Sequence, residues 1–302
     1  MAFEYFVQEQ KRVRVLLDTD AACEADDPFA VAQALLTPRF DVRGVIAEHF
    51  YPAGGIDSAA RSRQVIDHLM ALTRREDVPA VTGAAEPLPD ERTPRPSDGA
   101  ALIIREALSD SPLPLFVLCQ GAVTNVASAL LMRPEIAPRF TCVWIGGAAY
   151  PDGGWEFNLI NDVNAANVLL SSRVALWQVP MDCYTQLQVG YAELQRRVRP
   201  CGALGRYLFD QMQDYGRTAG WIAGESWALG DSPAIGLALN PSCGRYEERP
   251  APRADADGRY LPGDPARRIR VYRTVDARYI LEDLYAKLAI FAEGETPSAK
   301  ED

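Results

Sequence analysis

Histidine and lysine are scarce in this chain of 302 residues: two histidines (His49, His68) and three lysines (Lys11, Lys287, Lys300). Chemistry built on imidazole has little to draw on. The dearth of lysines also counts against a phosphoryl-transfer site that opens on an Asp-x-Asp motif, because such sites need a lysine further along. The cysteines (Cys23, Cys119, Cys142, Cys183, Cys201, Cys243) lack paired spacing, so neither a disulfide framework nor a zinc site is expected. No apolar run approaches the roughly 20 residues that cross a bilayer, and the opening MAFEYFVQEQKRVRVLLD lacks a signal-peptide layout. A cytoplasmic location is the expectation. Positive charge is short as well: 31 basic residues face 41 acidic ones, a formal net charge of -10. Such a surface repels phosphate backbones and anionic membranes, so neither is an expected partner.

What is present is a repeating alternation of short apolar runs and helical patterns. RVRVLLD (12–18), DVRGVIAEHF, LPLFVLCQG, FTCVWIGG and VALWQVPMD read as buried strands. Between them lie DDPFAVAQALL (26–36), with Pro28 suited to a first helical turn, and DSAARSRQVIDHLMALTRR. Further helices follow in DGAALIIREALSD, AVTNVASALLMRP and NDVNAANVLLSS. This order predicts an α/β protein with a mostly parallel twisted sheet of Rossmann type, helices on both faces, and ligands beyond the carboxyl ends of the strands. A single domain over 1–292 is expected, with the Pro-, Gly- and charge-rich stretch 241–268 as a surface excursion. IRVYRTVD is expected as a strand at a sheet edge, and 293–302 as a flexible tail.

Four segments carry candidate chemistry. LLDTDAACEADDPFAVAQALL packs Asp18, Asp20, Glu24, Asp26 and Asp27 at the end of the first strand. Carboxylates this dense call for a hard cation with oxygen ligands, calcium or magnesium. Helix N-terminal placement alone accounts for Asp26 and Asp27, but not for Asp18 and Asp20. In VLCQGAVTNVASALL a strand ends near Gln120 and a helix begins near Thr124 and Asn125, whose ordinary role is capping. In WIGGAAYPDGGWEFNLINDVNAAN a glycine-containing loop brings Glu156 and Asn158 to the same strand ends, where they suit neighbouring hydroxyls. In GESWALGDSPAI, Asp231 precedes a helix and in isolation reads as its N-cap.

Taken in order, and together with the VPAVTGAAEPL turn and the closing VYRTVDARYILEDLYAKL, these segments resemble the inosine/uridine-preferring nucleoside hydrolase family over roughly residues 12–290. The opening DTDAACEADD is two residues longer than the usual D-x-D-x-G-x-D-D and resembles a divergent branch that opens D-T-D-x-x-x-E-x-D-D. The resemblance implies calcium-dependent hydrolysis of the N-glycosidic bond of ribonucleosides. It implies one calcium ion held by Asp20, Asp27, Asp231 and the main-chain carbonyl of Gln120. Asp26 becomes the general base that deprotonates the attacking water. Glu156 and Asn158 hold ribose hydroxyls, Asp18 orients a ligand or binds a hydroxyl, and Glu24 and Asn125 support the site from behind. A small nucleoside or other ribosyl compound is the implied partner, in a homodimer or homotetramer.

The sequence departs from the family in two places. The His-Asp pair common at the last ligand is Gly230-Asp231 here, which removes an acid for the leaving base. Tyr150 stands about where an asparagine often precedes the ribose-binding loop. His49 is expected either at the pocket mouth or as an ordinary loop residue. Trp155, Trp221, Trp227 and Tyr184 are candidates to stack the base, Trp227 foremost for its closeness to Asp231; the plainer reading makes each a core residue. The alternatives are a non-catalytic ribosyl-binding protein and, less favoured, a magnesium-dependent phosphatase with the Asp-x-Asp opening.

Overall fold

A computed structural model describes residues 3–222 and 224–294. The first half runs β1 (Val13–Thr19), α1 (Asp27–Leu35), β2 (Phe40–Ala47), α2 (Tyr51–Gly54), α3 (Ser58–Thr73), β3 (Ala80–Thr82) and α4 (Asp98–Ala107). It continues through β4 (Leu115–Gln120), α5 (Thr124–Met132), β5 (Thr141–Ile145), α6 (Phe157–Asn161), α7 (Val163–Ser171) and β6 (Ala175–Val179). Then follow α8 (Met181–Tyr184), β7 (Gln188–Gly190), α9 (Tyr191–Arg197), α10 (Gly202–Gly216), β8 (Ser226–Ala228) and α11 (Ser232–Leu239). The chain closes with β9 (Gly244–Pro250), β10 (Arg253–Ala254), β11 (Tyr260–Leu261), β12 (Arg268–Val275) and α12 (Ala277–Glu293).

Eight strands form one sheet in the order β3-β2-β1-β4-β5-β6-β12-β9, parallel throughout except for the antiparallel pair β12-β9. Fully buried parallel strands read as unbroken apolar runs, which is why RVRVLLD and LPLFVLCQG were legible. Alternation along β1 sends Val15 and Leu17 to one face, against Phe29, Ile66 and Leu69, and Leu16 to the other, with Ile103, Val126 and Trp144. Fully burying a leucine such as Leu16 or Leu17 contributes about 2 kcal/mol.

The carboxyl-terminal stretch differs from expectation. β12 is interior, flanked by β6 and β9, and β9 is the edge. That edge comes from the segment expected as a surface excursion. Gly244–Pro250 is mostly exposed and carries Arg245, Glu247, Glu248 and Arg249, so it offers no apolar run to read. Charge on an edge strand also discourages pairing with other sheets. The expected tail from 293 lies outside the described residues from 295 onward; Glu293 closes α12. No helix among the described residues is long and apolar enough to cross a membrane.

The strand order reverses between β1 and β4. Chains leaving these neighbours go to opposite faces, which opens a crevice at their carboxyl ends. The acidic segment begins there.

Candidate active site

The end of β1 delivers Asp20 to this crevice, and the turn that follows delivers Glu24, Asp26 and Asp27 as α1 begins. The N-terminus of α11 approaches from the other side with Asp231. Neither Asp26 nor Asp231 spends its side chain on capping its own helix. Asp26 Oδ2 instead accepts the main-chain N–H of Asp231 at 3.2 Å, which ties the two helix starts together. Both N-terminal dipoles favour negative charge at this spot. Carboxylate oxygens of Asp26, Asp27 and Asp231 lie within 4.8 Å of one another, all buried. Asp27 Oδ1 accepts the Thr19 hydroxyl.

Asp20 borders the trio. Its Oδ2 is buried and has no hydrogen-bond partner. The β4–α5 turn passes beneath it at Gly121, where a Cβ would stand 3.1 Å from Asp20 Cγ. Gln120 closes β4; its Nε2 donates to the Asp231 carbonyl at 3.2 Å, and its Oε1 is buried without a partner. Burial, and then mutual repulsion, raises Asp20, Asp26 and Asp231 well above the usual carboxylate range. Burial raises Asp27 to about 6.

Glu156 is the N-cap of α6. Its carboxylate accepts N–H groups from Gly147 (2.6 Å), Leu159 (2.9 Å) and Asn158 (3.2 Å), and the Tyr184 hydroxyl at 3.0 Å. Asn158 Nδ2 donates to the Ile145 carbonyl at 2.9 Å. Asp20, Glu24, Asp26, Asp27, Gln120, Glu156, Asn158 and Asp231 therefore line one cleft, together with Cys23, Phe157, Tyr184 and Gly230. No Arg, Lys or His is among the described residues lining it. Glu24 faces the cleft itself rather than supporting it from behind, and burial raises its carboxyl to about 7.

His49 and Trp227 lie outside the cleft, and Asp18 and Asn125 stand behind it. Asp18 follows Leu16 by two positions on β1, so the strand turns it toward α5, where its Oδ1 accepts Asn125 Nδ2 at 3.0 Å. Asn125 Nδ2 also donates to Glu48 Oε2 at 2.7 Å, bridging two buried carboxylates behind the cleft. His49 is not at a pocket mouth; it lies in the connection between β2 and α2, fully buried. Its Nδ1 accepts the Tyr51 N–H at 3.2 Å and its Nε2 lies 2.7 Å from Thr124 Oγ1. Thr124 Oγ1 in turn donates to Asp162 Oδ2 at 2.7 Å, which makes the neutral ring with the proton on Nε2 the matching form. Trp227 does not reach the cleft; it is core, with Tyr215 and Trp221 rings edge-on at 5.6 and 5.2 Å. Residue 227 sits on β8, whose pairing with β7 sets the ring's direction regardless of closeness in sequence to Asp231. Trp155 and Trp221 are 63% and 61% exposed.

Sequence reasoning missed Glu48 and passed over the hydroxyl of Tyr184. Glu48 follows directly on β2, and Tyr184 closes the short α8 that comes after β6; strand ends are where such folds gather function.

These features identify a class: a doubly wound α/β protein with an oxygen-rich cleft, fit for a hard cation, at the switch point of its sheet. Residues 15–280 match the profile of the family described as inosine-uridine preferring nucleoside hydrolase. The pyrimidine-specific ribonucleoside hydrolase RihA of Salmonella arizonae is 25% identical over 235 residues, 68% of this chain and 73% of that one. The purine-preferring ribonucleoside hydrolase from Gardnerella vaginalis superposes with a TM-score of 0.75 at 20% identity, covering 93% of this chain and 99% of that one. A plant nucleoside hydrolase superposes with a TM-score of 0.73 at 20% identity, covering 92% and 99%. The chain belongs to the inosine-uridine preferring nucleoside hydrolase family. It is thus an N-glycosyl hydrolase of ribonucleosides, and the phosphatase reading falls away.

Proposed function

We propose that this cleft hydrolyses the N-glycosidic bond of a ribonucleoside with one bound calcium ion, Asp26 acting as general base. One observation carries the reading: four buried carboxylates, Asp20, Asp26, Asp27 and Asp231, converge with no basic side chain among the described residues lining the cleft, and Asp20 Oδ2 has no partner among them. Buried like charges without compensation are costly, and an all-oxygen donor set fits calcium or magnesium rather than zinc.

Asp20, Asp27, Asp231 and the Gln120 carbonyl would hold the ion. When bound, it supplies the positive charge that keeps the carboxylates ionised and makes a nearby water more acidic. Asp26 takes the proton of the attacking water, its Oδ2 oriented by the Asp231 N–H. Glu156, fixed by three main-chain donors, receives ribose hydroxyls with Asn158. Asp18 and Asn125 brace the end of β1 from behind, and Glu24 completes the wall. As the C1′–N bond lengthens, the surrounding carboxylates stabilise the positive charge on the sugar. Direct attack by water yields inversion at C1′. Cytoplasmic residence and a homodimer or homotetramer belong to the same reading, the assembly being checked by light scattering.

The test is ribose release from purine and pyrimidine nucleosides, with calcium, with a chelator, and with Asp26→Ala. Calcium-dependent release that Asp26→Ala lowers by about 10²–10⁴-fold supports the reading. Ribose binding with no release from any nucleoside favours the non-catalytic alternative.

A further inference from the structure

Side chains lining the cleft offer many acceptors and few donors. When ionised, the carboxylates of Asp20, Glu24, Asp26, Asp27, Glu156 and Asp231 accept and do not donate. The amides of Gln120 and Asn158 each direct a proton to a main-chain carbonyl. The single hydroxyl among these described residues is that of Tyr184.

Its position is set by two contacts. The ring lies across Gly230, where an added Cβ would stand 2.9 Å from Tyr184 Cδ2 and 3.3 Å from Asp26 Oδ2. Glycine at 230 is therefore required by the ring, which fills the space a side chain there would take. The other end of Tyr184 donates to Glu156 Oε1 at 3.0 Å. Tyr184 thus spans from the edge of the base carboxylate to the residue that receives ribose. Burial, then the Glu156 charge beside it, pushes the phenol up from its ordinary value, so the O–H stays a donor across the working range.

Cleavage of an N-glycosidic bond sends an electron pair onto the departing base, and that charge needs a hydrogen-bond donor. We propose that Tyr184 is a catalytic residue whose hydroxyl donates a hydrogen bond to the departing nucleobase. The inference rests on the nucleoside reading of the same cleft. When a ribose hydroxyl donates to Glu156, it replaces the phenol there, and Tyr184 Oη–H is released toward the base. Water oxygen then bonds to C1′ and the C1′–N bond breaks with its electron pair on the base nitrogen. One water proton passes to Asp26 and the other stays on the new ribose hydroxyl. The base draws its proton from solvent, and Asp26 returns its own to solvent.

The test compares wild type and Tyr184→Phe, both with calcium, on two substrates: the nucleoside turned over fastest and 4-nitrophenyl β-ribofuranoside. Nitrophenolate is a stable anion and leaves without help. The proposal predicts that Tyr184→Phe lowers kcat for the nucleoside by roughly 10²-fold and for the nitrophenyl riboside by about twofold at most. The ring is retained, and an unchanged melting midpoint verifies the fold. Equal losses on both substrates overturn the proposal, because Tyr184 would then act only by positioning Glu156. A wild type that cleaves neither substrate overturns the nucleoside reading and this inference with it, so the two failures look different.

Discussion

Asn125 stands between Asp18 and Glu48, its Nδ2 donating to both buried carboxylates at 3.0 and 2.7 Å. Its Oδ1 accepts the Ala84 N–H at 2.9 Å and the Ser97 hydroxyl at 2.8 Å. One amide thereby ties β1, β2, the loop after β3 and the start of α4 to α5. Gly83 leaves it room, since a Cβ there would lie 2.3 Å from Nδ2. Asn125→Asp replaces the donor by a third carboxylate. The expected cost is about 3 kcal/mol, read as a lower urea midpoint with an unchanged slope; an unaltered midpoint would contradict the bridging role.

Stability and pH are linked through the same carboxylates. Asp27, Glu24 and Asp18 are raised to about 6, 7 and 7, and Asp20, Asp26, Asp231 and Glu48 also sit well above the usual range. Burial is the first cause in each. The folded chain holds protons that the unfolded chain has released by about pH 5, so stability falls as pH rises through the raised values. In chelator the melting midpoint should drop between about pH 5 and pH 8. Calcium should offset most of that drop, stabilising more at the higher pH. Equal stabilisation at both values would argue against ion binding by these groups.

His49 gives the opposite sign. Burial lowers it to about 4, so the folded state keeps a neutral ring where the unfolded chain binds a proton. Its contribution is present above about pH 6.5 and is lost as pH falls toward 4. His49→Ala should cost about 2 kcal/mol, because Thr124 and the Tyr51 N–H lose their partner. The pH–rate profile of that variant should keep the inflections of wild type. An inflection lost in that variant would contradict the structural role and mark His49 as a proton donor in the reaction.

Trp227→Leu separates core from substrate wall. The indole is 3% exposed, and its removal should lower stability by about 3 kcal/mol. The ratio of rates on purine and pyrimidine nucleosides should stay within about twofold of wild type. A changed ratio at unchanged stability would put the ring against the base.

The central strands and the acidic cluster were legible because each is local. Val13–Thr19 and Leu115–Gln120 are buried throughout or nearly so and read as apolar runs, and Asp20, Asp26 and Asp27 lie within one turn of chain. The expectation that Asp231 joins the cluster rests on the order of motifs and not on its neighbourhood, where it looks like a cap. The edge strand Gly244–Pro250 was illegible because exposed charge hides a strand's period. Trp227 was expected against the base and lies in the core, and the directions of His49 and Asp18 were equally illegible, for one reason. Their directions depend on pairing partners distant in sequence, Thr124, Asn125 and Val189.

If one calcium ion in the acidic cleft enables ribose release, binding and activity must rise together. The most direct measurement titrates calcium into chelator-treated wild type, Asp20→Asn and Asp231→Asn by calorimetry, with ribose release from a nucleoside followed on the same samples. One site per chain is expected in wild type, weakened at least about tenfold in each variant, with activity rising in step with occupancy. Full ribose release from chelated wild type, or unchanged calcium affinity in both variants, would contradict it.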